Sequence, residues 1–459
     1  MFGKAFSRLL VPALFFLLAS LPAWGDSQVR IVRLSYLAGT VTIDRGTGHF
    51  EPAIVNLPIT QGMKLQTKDD GRAEVEFEDG SALRLAPDTS VRFSRLSLRD
   101  SGDKVSVVQI ADGTAYADAT GAKGSQLTLE FAHESLTLDN AARVRVGVDD
   151  TGASVAVLKG EIQIQSSSGT VEAKKGQTAN FDFTKSEKFT LAKNIQEYPY
   201  DSWDKQQDQF RQTYAKNSSS SYSPYAYGTA DLAYYGNFFN APGYGTLWQP
   251  YFVGAGWDPF MDGSWAFSPG WGFGWVSAYP WGWLPYHYGS WNFVPGYGWA
   301  WQPGGAWTPW YSRPVIMNPP AGFVVPRAPT SGTSTVAVSR GPASTTKGGF
   351  FGSKLVIRNN SAGLGVPRGG VDNLSKLSQR VEQHGSVSER VAVESRPQQM
   401  AMPPSEPTHG MSRSQGPQGV SNAGSHAART ESPRMSAPQP RMDTPHSSPP
   451  PAASSSPHR

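Results

Sequence analysis

Tryptophan is concentrated in one short, repetitive stretch of this chain. Twelve of the fourteen tryptophans lie between Trp248 and Trp310, among many glycines and prolines. The sequence GSWAFSPGWG at 263–272 returns as GSWNFVPGYG at 289–298. Copies spaced about 26 residues apart indicate one supersecondary unit repeated, each copy burying its apolar face against its neighbours. The pattern predicts three copies between 236 and 314, and it favours a binding or architectural module over an enzyme.

Two interpretations of these aromatic residues are open. Exposed indole and phenol faces can stack on the sugar rings of peptidoglycan or of an exopolysaccharide. Buried tryptophans would instead form a core whose burial offsets the entropy of so many glycines. The second interpretation is favoured for most of them. If the glycan interpretation holds, the expected contact residues are Trp265, Trp275, Tyr286, Trp291 and Trp301.

The first 25 residues predict a signal peptide for export. Lys4 and Arg8 precede an apolar run from Leu9 to Leu21, and Ala23-Trp24-Gly25 forms a small-x-small cleavage site before Asp26. The run of about 13 residues is short for a bilayer core of ~30 Å, which favours a cleaved signal over an uncleaved anchor. We expect a periplasmic or secreted bacterial protein with no transmembrane helix beyond the signal segment.

The composition and motifs argue against catalysis and against bound metals. The chain has no cysteine, which excludes disulfides, thiolate metal sites and cysteine nucleophiles. His287 has no partner ligands at metal-binding spacing, so a structural histidine is expected there. The motifs of serine hydrolases, zinc proteases and phosphate-binding loops are missing from the sequence. We therefore predict no catalytic residues, no metal and no cofactor. A cell-wall hydrolase is the least favoured alternative, because the sequence shows no paired carboxylates and no nucleophile constellation. It stays open because carboxylates far apart in the sequence can meet in three dimensions.

The positive charge belongs to the end of the chain. The net charge of +4 is made up of −4 before Pro320 and +8 after it. The arginines after Pro320 are scattered singly among serine and proline, without the clustering of a nucleic-acid-binding patch. We expect no nucleic-acid partner.

Short alternating segments predict an antiparallel β sandwich or roll for residues 26–195. Ala73–Phe77 and Val144–Val148 alternate apolar and polar residues, and turn signals recur every eight to twelve residues or so. In the linking segment 196–222, Asp201–Lys216 predicts a helix that Asp201 can cap. Its apolar face carries Trp203, Gln207, Phe210 and Tyr214.

The remaining chain divides into two parts of different composition. Residues 223–315 form the tryptophan-, glycine- and proline-rich repeat module. Residues 316–459 are rich in serine, proline and arginine and are predicted to be a disordered tail. Within the tail, the spacing of Leu374, Leu377 and Val381 allows a short helix between 371 and 393.

The β segment resembles the periplasmic domain of FecR proteins. Gly62–Thr67 is followed by Gly71–Ser81 (GRAEVEFEDGS) and then by Leu83 and Leu85, in the order of the family's motif, over about residues 31–130. The resemblance implies signalling between outer-membrane receptors and anti-sigma systems. Signalling members carry a cytoplasmic segment and a membrane span before this domain, where this chain has the predicted export signal. The aromatic module resembles an uncharacterised domain found behind FecR-like domains in secreted bacterial proteins.

The sequence therefore predicts an exported, non-enzymatic envelope protein. Its expected role is a FecR-like sensor or scaffold whose partner is an envelope protein or a cell-wall glycan. The alternative is a module that binds peptidoglycan or polysaccharide through exposed tryptophans.

Overall fold

A computed structural model of the chain describes residues 30–184, 188–215, 223, 225–307, 314–341 and 354–390. The predicted signal peptide, the end of the linking segment at 216–222, and residues 342–353 and 391–459 of the predicted tail lie outside these residues.

Seventeen short strands form the first domain, because alternating residues place one apolar face inward along most of them. These strands are β1 (Val32–Ala38), β2 (Val41–Asp44), β3 (Phe50–Pro52), β4 (Pro58–Ile59), β5 (Lys64–Thr67), β6 (Arg72–Glu76), β7 (Ala82–Leu85), β8 (Ser90–Leu98), β9 (Lys104–Ala119), β10 (Ser125–Phe131), β11 (Glu134–Leu138), β12 (Ala142–Val148), β13 (Gly152–Lys159), β14 (Glu161–Ser166), β15 (Gly169–Lys174), β16 (Thr178–Asp182) and β17 (Lys188–Ala192).

The long strand β9 joins two layers of this domain. Its first part pairs with β8 and, in parallel, with β10, whereas its second part pairs with β7 and β12. One layer has the order β4-β1-β6-β7-β9-β12-β13-β16-β17 and the other has the order β3-β2-β5-β8-β9-β10-β11-β14-β15. Aliphatic side chains of both layers share one core. The predicted mainly β fold is confirmed.

Helix α1 (Asp201–Ala215) connects the first domain to the aromatic residues, as predicted. Trp203, Gln207 and Phe210 are buried and Tyr214 packs beside them, so the predicted face is the buried one. The carboxylate of Asp201 makes tertiary contacts. It accepts hydrogen bonds from Arg145 and from the hydroxyl of Tyr116, which fixes the start of the helix to the β domain.

The aromatic module is built from hairpins and short helices. Its elements, with those of the segments after it, are α2 (Thr229–Tyr235), β18 (Gly236–Ala241), β19 (Gly245–Pro250), β20 (Asp262–Ser268), β21 (Gly272–Ser277), α3 (Leu284–His287), β22 (Tyr288–Val294), β23 (Gly298–Trp307), β24 (Val315–Met317), β25 (Val336–Ser339), β26 (Lys354–Arg358), α4 (Leu374–His384) and β27 (Ser386–Arg390). They form a sheet of order β18-β19-β23-β22-β24, a second of order β21-β20-β25, and the pair β26-β27.

Three hairpins, β18-β19, β20-β21 and β22-β23, have the same register. The residue pairs at equivalent positions are Phe238 with Trp248, Trp265 with Trp275, and Trp291 with Trp301. Each hairpin also places a glycine beneath the second aromatic residue. A Cβ added to Gly263 would lie 2.3 Å from the Trp275 ring, so the close packing of the indole requires glycine there.

The prediction of a disordered tail from residue 316 is wrong for two described stretches. Strand β24 pairs with β22, and β25 pairs with β20. Residues 354–390 form a hairpin and helix α4, the helix that the spacing in this segment allows. Leu355, Ile357, Leu374, Leu377 and Val381 enter the aromatic core. These few apolar residues become ordered because the aromatic module supplies the rest of their core. A prediction from the composition of the segment alone does not include that contribution.

Candidate functional site

The five residues predicted as glycan contacts are all buried. Trp265, Trp275, Tyr286, Trp291 and Trp301 belong to one aromatic cluster in which none exceeds 2% exposure. Trp265 and Trp275 pack edge to face with ring centroids 5.3 Å apart. A buried ring offers no face to a sugar, so the structure corrects this assignment and places the five residues in the core.

Two exposed aromatic residues of the aromatic module lie instead at hairpin turns. Trp271 is 42% exposed and Tyr297 is 47% exposed, at equivalent positions of two hairpins. Each stands between two glycines with left-handed φ, such as Gly296 and Gly298 around Tyr297. The signal was present in the sequence as a Pro-Gly-aromatic-Gly turn, since turn residues lie at the surface.

One face of the sheet formed by β18, β19, β23 and β22 lies away from the aromatic core, and we call it the outer face. The small aliphatic residues Ala241, Leu247, Val294 and Ala300 form a minor cluster on it, against which Phe239 and Tyr244 pack. The opposite face carries Trp248, Trp291 and Trp301 into the aromatic core.

Two glutamines brace the hairpins across the outer face. The amide of Gln249 donates to the carbonyl oxygens of Tyr297 and Trp299 at 2.8 and 3.0 Å. The amide of Gln302 donates to the carbonyl of Tyr244 at 2.6 Å. These reciprocal hydrogen bonds between the two hairpins explain why Trp-Gln-Pro occurs in both of them. Each glutamine fixes the turn of the other hairpin.

Buried charges join the first domain to the aromatic module, and we call Arg33, Glu74, Glu76, Asp231 and Arg368 the interface network. Arg33 on β1 pairs with Asp231 on α2 at 2.6 Å. Arg368 reaches Asp231 and Glu74, each at 2.8 Å. All five side chains are at most 7% exposed. Because each charge is paired inside a low-dielectric region, the network fixes the relative position of the three segments.

Helix α1 is held by a second set of buried ion pairs. Arg84 contacts Glu74 at 2.7 Å and Asp204 at 2.6 Å, so it links the helix to the interface network. Arg143 pairs with Asp204 and, at 2.9 Å, with Asp208. Helix α1 is therefore attached to the first domain by buried ion pairs as well as by its apolar face.

Two glutamates on β6 have opposite pKa shifts. Burial alone would raise the pKa of Glu74, but the charges of Arg84 and Arg368 outweigh it and hold that pKa well below its usual range. Burial raises the pKa of Glu76, and repulsion from Asp231 and Glu74 adds to it despite the attraction of Arg33. Folding thus favours the ionised form of Glu74 and disfavours that of Glu76.

This difference predicts unequal effects of two matched substitutions. At pH 7, Glu74→Gln is expected to lower the free energy of unfolding by about 2 kcal/mol, because two arginines lose a buried anion. Glu76→Gln should cost less than about 1 kcal/mol, since a neutral amide still accepts from Arg33 and from the Gly228 N–H.

Denaturant unfolding between pH 2.5 and pH 7 measures both effects. A lowered folded pKa gives stability that is present above the unfolded pKa of about 4.3 and is lost as the pH falls below it. The defect of Glu74→Gln should therefore shrink as the pH falls below about 4. A larger defect for Glu76→Gln than for Glu74→Gln at pH 7 would contradict the assigned shifts.

His287 is part of the core. Burial, with a smaller contribution from the charge of Arg33, lowers its pKa to about 3, so the imidazole is neutral at physiological pH. Its ring lies 4.4 Å from that of Trp283. Among the described residues, no three His, Cys, Asp or Glu side chains are grouped as metal ligands. Within the same ranges, no helix has both the length and the apolar character needed to cross a bilayer.

The two domains match two family models. The model of the FecR protein family matches residues 63–163, further along the chain than the expected 31–130, and the chain therefore carries a FecR domain. A model described as a family of unknown function (DUF6600) matches residues 229–323. The protein thus combines a FecR domain with a separate DUF6600 domain, which includes the three hairpins.

Solved structures show only distant similarity. Two crystal structures, at 1.65 and 2.50 Å resolution, are of a "putative anti-sigma factor" from Parabacteroides distasonis ATCC 8503. Each is 13% identical to this chain with a TM-score of 0.25, and the similarity covers 28% of this chain and 59% of that one. No curated protein matches the chain.

Proposed function

We propose that this protein is an exported, non-enzymatic FecR-like regulator or sensor of the bacterial envelope, whose FecR and DUF6600 domains act as one binding body. The FecR match supports the regulatory class. The observation that carries the proposal is the interface network, in which Arg33 of the FecR domain and Asp231 of the DUF6600 domain form a buried pair at 2.6 Å.

A buried network of this kind opposes independent movement of the two domains. Separating them would break the buried pair between Arg33 and Asp231, and loss of one partner from a buried pair costs about 3–5 kcal/mol. Asn56 adds two hydrogen bonds across the same boundary, to the carbonyl oxygens of Ser277 and Tyr279. A partner that binds either domain is therefore presented with a surface fixed relative to the other.

The charges of the interface suit a structural role better than a catalytic one. Glu74 and Asp231 each contact two arginines. A general acid or base needs access to a substrate proton, and these carboxylates face guanidinium groups within the protein. The proposal therefore includes no reaction, and the binding partner is an envelope protein or a cell-wall glycan.

Complementation of a deletion strain tests this function. Transcript levels are compared in the deletion strain, in the strain with the full chain, and in the strain with a chain lacking residues 1–25. We expect altered transcripts for envelope proteins in the deletion strain, restored by the full chain and not by the unexported one. Unchanged transcripts in the deletion strain contradict a regulatory role, and restoration by the unexported chain contradicts an envelope location.

A second measurement separates binding from hydrolysis. The purified mature protein, expected to begin at Asp26, is incubated with cell-wall sacculi. Mass spectrometry of the supernatant should find no soluble muropeptides above the buffer control. Release of muropeptides by the protein would make it an enzyme.

A further inference from the structure

The outer face carries an aromatic platform. Phe239 and Tyr297 come from different hairpins and stack with ring centroids 5.2 Å apart and an interplanar angle of 19°. Tyr297 keeps 47% of its surface exposed. The platform is held from below by the minor aliphatic cluster and from the side by the amide of Gln249.

Neutral hydrogen-bonding groups surround this platform. Asn237 and Gln249 are cross-strand partners on the outer face, and Asn237 is exposed. Amides and hydroxyls beside a flat aromatic surface match the hydroxyl groups and the C–H face of a sugar ring.

The strands of the outer face carry no charge. The segments 236–250 and 288–302 contain no Asp, Glu, Lys or Arg. A surface of this kind gives no electrostatic attraction to nucleic acid, to anionic lipid or to a charged protein patch. Its chemistry is complementary to an uncharged polymer that is rich in hydrogen-bonding groups.

We propose that the outer face binds the N-acetylated glycan strand of the cell wall. One sugar ring stacks on the Phe239–Tyr297 platform. Its acetamido group exchanges hydrogen bonds with the amide of Asn237 and donates its N–H to the amide oxygen of Gln249, whose NH2 group already donates to Tyr297 and Trp299. The inference deepens the binding role proposed above by naming the ligand class. It moves the glycan contacts from the five buried core residues to the exposed Asn237 and Tyr297 and the half-buried Phe239 and Gln249 of the same module.

Titration with N-acetylglucosamine oligosaccharides tests the site. Binding of the hexasaccharide to the mature protein is measured by calorimetry and by NMR, with cellohexaose, which lacks acetamido groups, as the comparison ligand. We expect the acetylated sugar to bind at least about tenfold more tightly, with an affinity that changes little between 0.05 and 0.5 M salt. Equal binding of cellohexaose, or loss of binding at the higher salt concentration, would overturn the proposal.

Two turn variants provide a matched comparison. Tyr297→Ala should weaken binding at least about tenfold, because the sugar loses a stacking ring. Trp271→Ala removes an equally exposed ring at the equivalent turn of another hairpin and should leave the affinity unchanged. Circular dichroism and thermal unfolding establish that both variants fold. Weaker binding by Trp271→Ala with full binding by Tyr297→Ala would overturn the assignment.

Purified sacculi test the same surface on the natural polymer. The mature protein should pellet with sacculi, and Tyr297→Ala should remain in the supernatant. A wild-type protein that binds neither sacculi nor oligosaccharide would overturn the proposal. The transcript measurement is independent of this result. If the protein controls transcripts but does not bind glycan, only the proposed glycan site is refuted. If it binds glycan but does not control transcripts, only the proposed regulatory role is refuted.

Discussion

Asp231→Ala is expected to lower the free energy of unfolding by about 3–5 kcal/mol. The carboxylate of Asp231 accepts from Arg33 at 2.6 Å and from Arg368 at 2.8 and 2.9 Å. Its removal leaves two buried guanidinium groups facing a cavity, and the desolvation cost of both remains. Denaturant unfolding of the mature protein, followed by circular dichroism, measures the loss.

The exposed pair Arg380–Glu389 provides the control for this substitution. These side chains are 55% and 34% exposed and lie 3.3 Å apart, so Glu389→Ala should cost less than about 1 kcal/mol. We also expect Asp231→Ala to separate the unfolding of the FecR domain from that of the DUF6600 domain, because the lost pairs join them. A single unshifted transition in Asp231→Ala would show that the interface network does not hold the domains together.

The FecR domain could be predicted from local patterns. Strands such as β12 alternate buried and half-buried residues along their whole length, which is the pattern that sequence periodicity detects. Helix α1 could be predicted equally well, since the spacing of Trp203, Gln207 and Phe210 places them on one side of a helix with 3.6 residues per turn. These features depend on neighbours in the sequence.

The interface network could not be predicted in this way. Arg368 contacts Glu74, which lies 294 positions earlier in the chain, and it stands in a glycine-containing segment with no periodic pattern. Neither residue carries a local sign of its partner. Helix α4 follows from its local spacing, but the hairpin β26-β27 and the packing of residues 354–390 could not be predicted, because their apolar side chains complete a core built elsewhere.

The aromatic residues show a second limit of prediction from the sequence. The repeated sequence predicted hairpin-sized units, but every copy contains several aromatic rings, and composition does not say which of them point inward. The register distinguishes them, since Trp291 and Trp301 share the inner face while Tyr297 lies in the turn. The turn glycines were the usable signal, and they identify Tyr297 and Trp271 as surface residues.

Trp281→Ala is expected to have the second large effect, a loss of about 3–5 kcal/mol in the stability of the DUF6600 domain. Trp281 is completely buried and stacks on Tyr279 at 4.9 Å with an interplanar angle of 3°. It also contacts Trp248 of the first hairpin and Trp291 of the third. One side chain therefore holds separate copies of the repeat together, and its removal opens a cavity among all of them.

The hydrogen bond of Trp281 can be separated from its packing. Its indole N–H donates to the carbonyl of Ala362 at 2.7 Å, so Trp281→Phe should lose this bond and cost about 1–2 kcal/mol, less than alanine. Trp271→Ala, at a ring that is 42% exposed, should stay within about 0.5 kcal/mol of the wild type. Denaturant unfolding monitored by fluorescence measures all three variants. Equal losses for Trp281→Ala and Trp271→Ala would mean that the indoles are not the core, because only a buried ring leaves a cavity when it is removed.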